Sequence, residues 1–214
     1  MLSDPPQQAP ARGQEQVDRD LAVLDVGGVL FTDVAANLIH NVAEATSRSR
    51  EAVIDVYQIL ARRLWCGLIS TDQFWQALGH GLARDLDSSS WDEEGVRTQT
   101  PLLSQDCLDS LLAKCDVALL TNNRQEWLAP ALKRAGLNGS FSPIVISSVE
   151  ECMKPDAMIY ARLESRLRRR YKRKLFVDDK PANLKPAEKL GYQVILADPK
   201  SDWERALTKW ISMR

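Results

Sequence analysis

The chain has 214 residues, of which 44% are hydrophobic and 27% are charged, a composition that suits one compact core with a modest insertion. The formal net charge of −1 gives no overall field that would attract nucleic acid, and the sequence has no apolar run of about eighteen residues that could span a membrane. Residues 1–18 are rich in Pro and Gln and are predicted to form a disordered tail. This tail lacks the apolar stretch of a secretory signal, so a cytoplasmic protein with reduced cysteines is expected.

Short apolar runs that end in polar residues recur along the chain and predict buried parallel strands. The first run covers residues 21–24, ends at Asp25 and is broken by Gly27-Gly28. Similar runs cover 116–121, 174–177 and 193–197, and a weaker one at 140–148 is centred on 144–146. Helical patterns lie between them, at about 124–136, 156–170, 181–190 and 201–212. This alternation predicts an α/β fold with a doubly wound parallel sheet.

Residues 33–104 break the alternation, because they carry helical patterns near 34–46, 49–64 and 71–84 and no convincing strand. A further helix is expected at 104–114. The sequence therefore predicts a catalytic core made of residues 19–32 and 105–214, with residues 33–104 inserted as a helical cap above the carboxyl end of the first strand. Trp65, Phe74, Trp75 and Leu78 are expected to form the small core of this cap.

Acidic and polar residues follow three of the predicted strands. Because ligands bind at the carboxyl ends of the strands in such sheets, Asp25, Thr121, Asp178 and Asp179 are expected to meet in one site. Phosphoryl transfer requires a nucleophile, cations and hydrogen-bond donors in that place. Asp25 is suited to attack phosphorus, Asp178 and Asp179 to bind Mg²⁺, and Thr121 to donate hydrogen bonds. Lys154 adds a cation just before a predicted helix.

The motifs that carry these residues resemble those of the haloacid dehalogenase (HAD) superfamily, in its order. They are LDVGGVL at 24–30, LTN at 120–122, KP at 154–155 and VDD at 177–179. Residues 153–196, with KPDAMIY and FVDDKPANLKPAEKLGY, are especially similar to the phosphatase domain of soluble epoxide hydrolases and to related bacterial sugar phosphatases. The resemblance covers about residues 20–199 and is weakest through the predicted cap.

This resemblance implies a HAD-like Rossmannoid core and a magnesium-dependent phosphatase that acts on a small phosphorylated metabolite. Asp25 would form an aspartyl-phosphate, while Thr121 and Lys154 would hold the phosphoryl group. The implied magnesium ligands are Asp25, the backbone carbonyl of Gly27, Asp179 and, directly or through water, Asp178. Asn122 follows Thr121 at a position where the family often has a residue that donates to the substrate or the nucleophile.

Gly27 departs from the pattern of many phosphatases of the superfamily, which have at this position a second Asp that protonates the leaving group. General acid catalysis typically contributes about 10²–10⁴-fold, so its loss would matter most for a poor leaving group. Three hypotheses follow. The substrate has a good leaving group, such as an anomeric or acyl phosphate, or another acid such as Asp33 protonates the leaving group. Alternatively, catalysis is lost and the protein has a binding or scaffolding role. A dehalogenase-type hydrolase is less favoured, because that branch tends to lose the paired acids retained here at Asp178 and Asp179.

Two sets of basic residues have no place in these motifs. Residues 166–174 form a basic run, interpreted as a solvated helix end rather than as a site for a polyanion. The predicted cap carries several cations, one of which is expected to face an anionic substrate: Arg48, Arg50, Arg62, Arg63, Arg84 and Arg97. The sequence gives no prediction of the substrate's identity or of the oligomeric state.

Overall fold

A computed structural model describes residues 19–213, so the tail predicted at 1–18 lies outside the described residues. The sheet consists of β1 (Asp20–Leu24), β2 (Cys115–Thr121), β3 (Ile144–Ile146), β4 (Lys174–Asp178) and β5 (Gln193–Leu196). All neighbours pair in parallel, in the order β3-β2-β1-β4-β5. From β1 the chain adds strands first on one side and then on the other, so the order reverses between β1 and β4. The predicted α/β class with a doubly wound parallel sheet is confirmed.

Within the described residues, ten helices surround or extend this sheet. They are α1 (Val34–Thr46), α2 (Arg50–Trp65), α3 (Thr71–Leu82), α4 (Ser88–Arg97), α5 (Gln105–Lys114), α6 (Gln125–Arg134), α7 (Ser147–Glu150), α8 (Ala157–Arg166), α9 (Pro181–Lys189) and α10 (Trp203–Ser212). None of the described helices is long and apolar enough to cross a membrane.

Both faces of the sheet are covered by helices, which explains why its central strands read as continuous apolar runs. In β1, Ala22 and Leu24 join a buried cluster with side chains of α5, α6 and α10. The alternate residues Leu21 and Val23 belong to a second cluster, which includes side chains of α8 and α9. The sheet is thereby fixed from both sides, and its carboxyl edge is a rigid frame for the side chains that follow each strand.

The chain between β1 and β2 contains α1 to α5, of which α4 is a helix that the sequence did not indicate. Its Ser-rich start and Glu-Glu-Gly segment lack an apolar stripe, and Gly95 is its only fully buried residue. A Cβ on Gly95 would lie 2.9 Å from the Trp127 ring of α6, so α4 is held by close packing instead. Tertiary contacts of this kind leave no signal in the periodicity of a sequence.

A third buried cluster joins α1, α2 and α3, and it includes the four predicted core residues Trp65, Phe74, Trp75 and Leu78. Trp127 of α6 also belongs to it, with its ring centroid 5.7 Å from that of Trp65. We call the contacts that Trp127 and its neighbour Asp92 make between α3, α4 and α6 the helix–core seam. These contacts fix the helices that follow β1 onto the sheet-bearing part of the chain.

Candidate active site

Asp25 lies directly after β1 and is 5% exposed. Its backbone N–H donates to the carbonyl of Val177 in β4 at 2.9 Å, so the chain stays beside β4 at this point. One carboxylate oxygen, Oδ1, accepts from the N–H of Val26 at 2.6 Å. The other, Oδ2, lies 2.9 Å from Nζ of Lys154. The carboxylate is therefore held in one orientation at the point where the strand order reverses.

Asp178 is the last residue of β4, and its side chain is fully buried. Nζ of Lys154 donates to Asp178 Oδ2 at 2.6 Å, so the lysine bridges Asp25 and Asp178. The N–H of Lys180 and Nδ2 of Asn183 both donate to Asp178 Oδ1 at 2.9 Å. Both oxygens of Asp178 are thus already engaged by donors of the chain itself.

Asp179 differs from Asp178, because its Oδ1 is buried and has no hydrogen-bond partner among residues 19–213. Its carboxylate lies against Gly28, where a Cβ would come within 2.8 Å of the carboxylate carbon. Gly28 also has a φ of +75°, a region that favours glycine. The glycine therefore permits both the tight turn and the close approach of the Asp179 carboxylate to the backbone.

Oxygen atoms of Asp25, Asp178 and Asp179 lie within 4.8 Å of one another. Burial raises the pKa of Asp25 to about 7; Lys154 opposes this shift, and the carboxylates of Asp178 and Asp179 add to it. Burial likewise raises the pKa of Asp179. Asp25 and Asp178 share one fully buried lysine, and Oδ1 of Asp179 has no donor among residues 19–213. A hard divalent cation such as Mg²⁺ fits this oxygen-rich, negatively charged set.

Thr121 is the last residue of the adjacent strand, β2, and Asn122 follows it. Thr121 is 1% exposed, and the pairing of Leu24 with Leu119 places it one residue beyond the level of Asp25. The side chain of Asn122 binds the backbone of Lys154 twice: Nδ2 donates to the carbonyl at 3.0 Å, and Oδ1 accepts from the N–H at 2.8 Å. The side chain of Asn122 thus holds the backbone of Lys154 in position.

The region around Gly27 has room for a side chain. A Cβ there would lie 3.6 Å from Cα of Asp33, an ordinary contact, and Gly27 does not have a positive φ. Asp33 begins α1: its Oδ1 accepts from the N–H groups of Ala35 and Ala36 at 2.8 and 3.1 Å. Its Oδ2 lies 3.7 Å from Nζ of Lys180. Asp33 is therefore close to Gly27, with one oxygen engaged as a helix cap.

The structure brings together Asp25, Lys154, Asp178 and Asp179, and it adds neighbours that the sequence did not single out as site residues. Asn183 lies in the first turn of α9, five residues after Asp178, and its amide reaches back to that carboxylate. The sequence signal for Asn183 is its place as a polar residue about one helical turn after a strand-end acid. In the sequence, Gly28 only interrupts an apolar run, because the approach of Asp179 depends on the pairing of β1 with β4.

Comparison with known proteins agrees with this geometry. A family model for haloacid dehalogenase-like hydrolases matches residues 20–191. A predicted HAD-like family hydrolase from Porphyromonas gingivalis is 21% identical, with a TM-score of 0.72 over 93% of this chain and 100% of that chain. The magnesium complex of a HAD family enzyme from Bacteroides thetaiotaomicron is also 21% identical, with a TM-score of 0.72 over 88% of this chain and 98% of that chain.

L-2-haloacid dehalogenase from Xanthobacter autotrophicus, with chloropropionic acid covalently bound, is 22% identical, with a TM-score of 0.63 over 90% of this chain and 83% of that chain. No curated protein sequence matches the chain. The solved structures are similar in fold, and the family match covers most of the chain together with every strand-end acid described above. The protein therefore belongs to the haloacid dehalogenase-like hydrolases.

Proposed function

We propose that this hydrolase cleaves the phosphate ester of a small metabolite, with Mg²⁺ as cofactor and Asp25 as nucleophile. The observation that carries the proposal is the unpartnered, buried Oδ1 of Asp179 within 4.8 Å of the other two carboxylates. A metal-independent hydrolase does not require this surplus of negative charge, whereas a magnesium site requires it to bind the cation. The HAD family enzyme from Bacteroides thetaiotaomicron, which is similar in fold, has been solved with magnesium and inorganic phosphate.

In the proposed reaction, a carboxylate oxygen of Asp25 attacks phosphorus, and the bond from phosphorus to the leaving oxygen breaks. The leaving oxygen takes the electron pair and then a proton from water. A water molecule next attacks the phosphorus of the aspartyl-phosphate, which releases inorganic phosphate and restores the Asp25 carboxylate. Lys154 lies between Asp25 and Asp178 and offsets charge that accumulates on the phosphoryl oxygens. Magnesium, bound by Asp25, Asp179 and the carbonyl of Gly27, would neutralise those oxygens further.

Gly27 narrows the class of substrate. Position 27 supplies no acid, and one oxygen of the nearby Asp33 is engaged by the start of α1. Bond cleavage without a well-placed acid is fastest when the departing oxygen is already a stable anion. We therefore favour anomeric or acyl phosphates over simple alkyl phosphates as substrates.

The test is a series of aryl phosphates with graded leaving-group pKa, together with an alkyl phosphate, measured with Mg²⁺ and with EDTA. We expect hydrolysis to require Mg²⁺ and to fall steeply as the leaving-group pKa rises. Gly27→Asp, which the backbone at position 27 accommodates, should raise the rate mainly on alkyl phosphates, by up to about 10²–10⁴-fold. A flat profile with chemistry rate-limiting would show that another acid acts.

Adding a 2-haloacid to the set of substrates distinguishes the proposed function from the two alternatives, a dehalogenase and a binding or scaffolding protein. Release of halide from a 2-haloacid without Mg²⁺, and no phosphate release, would identify dehalogenase chemistry. A folded protein that turns over neither class of substrate would support a binding or scaffolding role.

A further inference from the structure

A second concave site lies at the opposite edge of the sheet from Asp25. Arg19 immediately precedes β1 and Asp116 is the second residue of β2, and both line a cavity of about 350 Å³. Strands rise about 3.3 Å per residue, so this amino edge lies roughly 20 Å from the carboxyl edge of β2. We call this cavity the amino-edge pocket. Its remaining charged and aromatic lining consists of Phe141, Arg166, Arg168, Arg169 and Tyr171.

The amino-edge pocket has a surplus of positive charge that its own acid does not balance. Asp116 is shared by two guanidinium groups: Nε of Arg19 lies 3.3 Å from Oδ1, and Nε of Arg169 lies 3.4 Å from Oδ2. Arg166 pairs with Glu150, which lies outside the lining. Arg168 makes no ion pair among residues 19–213. With Arg166 neutralised by Glu150, three arginines, Arg19, Arg168 and Arg169, face one carboxylate in a protein whose formal net charge is −1.

Neutral donors complete the lining of the amino-edge pocket. Ser140 and Ser142, in the loop between α6 and β3, both contribute to its wall. Neither hydroxyl makes a hydrogen bond within the described part of the chain, so both are available to a bound anion. The side chains of Arg19 and Arg169 are 42% and 43% exposed, and Nη2 of Arg19 also donates to the carbonyl of Cys115 at 3.3 Å.

We propose that the amino-edge pocket binds a small molecule that carries two or three linked phosphate groups. Guanidinium groups bind phosphate oxygens in pairs with matching geometry, and three of them balanced by one carboxylate exceed what one phosphate requires. The cavity volume lies in the range of small-molecule sites, about 300–1,000 Å³. A nucleic acid would instead need an extended basic stripe. The pocket and Asp25 occupy opposite edges of the sheet, so this proposal is independent of the proposed catalytic function.

The proposal is tested by isothermal titration calorimetry, which measures the affinity of the full chain for sodium tripolyphosphate in EDTA. Arg168→Gln/Arg169→Gln removes two cations from the pocket. Arg170→Gln/Lys172→Gln is the matched control, since it removes the same charge from the same exposed segment, at residues that do not line the cavity. We expect the first variant to weaken binding by about tenfold or more and the control by less than about threefold.

Two further variants test whether tripolyphosphate binds in the amino-edge pocket rather than at the catalytic edge. Lys154→Met removes the cation of the catalytic edge, and tripolyphosphate binding should persist in it. Asp116→Asn removes the one carboxylate of the pocket and should strengthen binding several-fold, a gain that misfolding would not produce. Equal losses in the two charge-removal variants would mean that the basic segment attracts polyanions in general. That outcome, or the absence of saturable binding in the wild type, would overturn the proposal.

Discussion

Two half-buried aspartates of this protein differ in how their carboxylate oxygens are satisfied. At the helix–core seam, Asp92 accepts hydrogen bonds from Nε1 of Trp75 at 2.8 Å, Nε1 of Trp127 at 2.9 Å and the hydroxyl of Thr71 at 2.6 Å. At the catalytic edge, Asp179 keeps a buried oxygen without a partner. The first carboxylate is satisfied by neutral donors of the fold, whereas the second retains capacity for a ligand. Removal of charge should therefore reduce stability at the seam and activity at the catalytic edge.

The largest effect is expected from Asp25→Asn. The amide preserves shape but is not a nucleophile, so turnover of an aryl phosphate should fall by about 10⁴-fold or more. The melting temperature should hold or rise, because one of three mutually repelling carboxylates is lost. Steady-state rates and thermal unfolding measure the two quantities. Wild-type activity in this variant would remove Asp25 from the mechanism.

Lys154→Met should lower turnover by about 10²–10³-fold, because a charge that faces both Asp25 and Asp178 is removed. Lys180→Met is the control: this lysine is a near neighbour, but its side chain is 58% exposed and lies 3.7 Å from Asp33. We expect the control to cost less than about tenfold, since exposed ion pairs contribute little. Equal losses in both variants would show that the position of Lys154 has no special role.

At the seam, Asp92→Ala should lower the free energy of unfolding by about 3–5 kcal/mol, because three donors lose one charged acceptor. Asp72→Ala on α3 is the matched change, since Asp72 is exposed and, within residues 19–213, its side chain accepts only from Gln76 of the same helix. It should stay within about 0.5 kcal/mol of wild type. Urea unfolding gives both values. The folded fraction of Asp92→Ala should keep wild-type kcat; a loss of kcat without a loss of stability would reverse the assignment.

The surplus charge at the catalytic edge also predicts a pH dependence for the metal-free protein. The pKa of Asp25 is raised from 3.8 to about 7, so the folded state binds a proton that the unfolded state has released. Stability from this group is present in full below about pH 3.8 and is lost as pH rises towards 7 and above. Thermal unfolding in EDTA should show this decline, and Asp25→Asn should flatten it. Magnesium should stabilise the wild type most at the high end of this range.

The sequence predictions succeeded for features that depend on local sequence and failed for features that depend on contacts between distant segments. The sheet and its strand-end acids were predictable, because each strand is a local apolar run followed at once by the residue that matters, as with Asp25 and Asp178. The role of Asn122 was not predictable, since its amide binds the backbone of Lys154, 32 residues away in sequence. Helix α4 and Asp92 were missed for a related reason. Their structure depends on Trp127, which packs on Gly95 and donates to Asp92 from another part of the chain.

The smallest predicted effect concerns two arginines that the sequence treated alike. Arg62 of α2 pairs at 2.9 Å with Asp156, two residues after Lys154, so it joins the helical region to the catalytic edge. Arg97 pairs at 2.6 Å with Glu94 of its own helix, and its side chain is 72% exposed. Of these two arginines, Arg62 is therefore the one that contacts a segment next to the catalytic edge.

We expect Arg62→Ala to change the ratio of kcat/KM between an acyl phosphate that carries a second carboxylate and an uncharged aryl phosphate. The change should be about two- to fivefold, which is the size of effect that an exposed ion pair supports. Arg97→Ala should leave this ratio at its wild-type value, and neither variant should alter the Mg²⁺ concentration needed for half-maximal rate. A uniform change on both substrates in Arg62→Ala would mean that α2 only covers the site. A shift in the magnesium requirement would mean instead that Asp156 transmits the loss of its partner to Lys154 and the carboxylates.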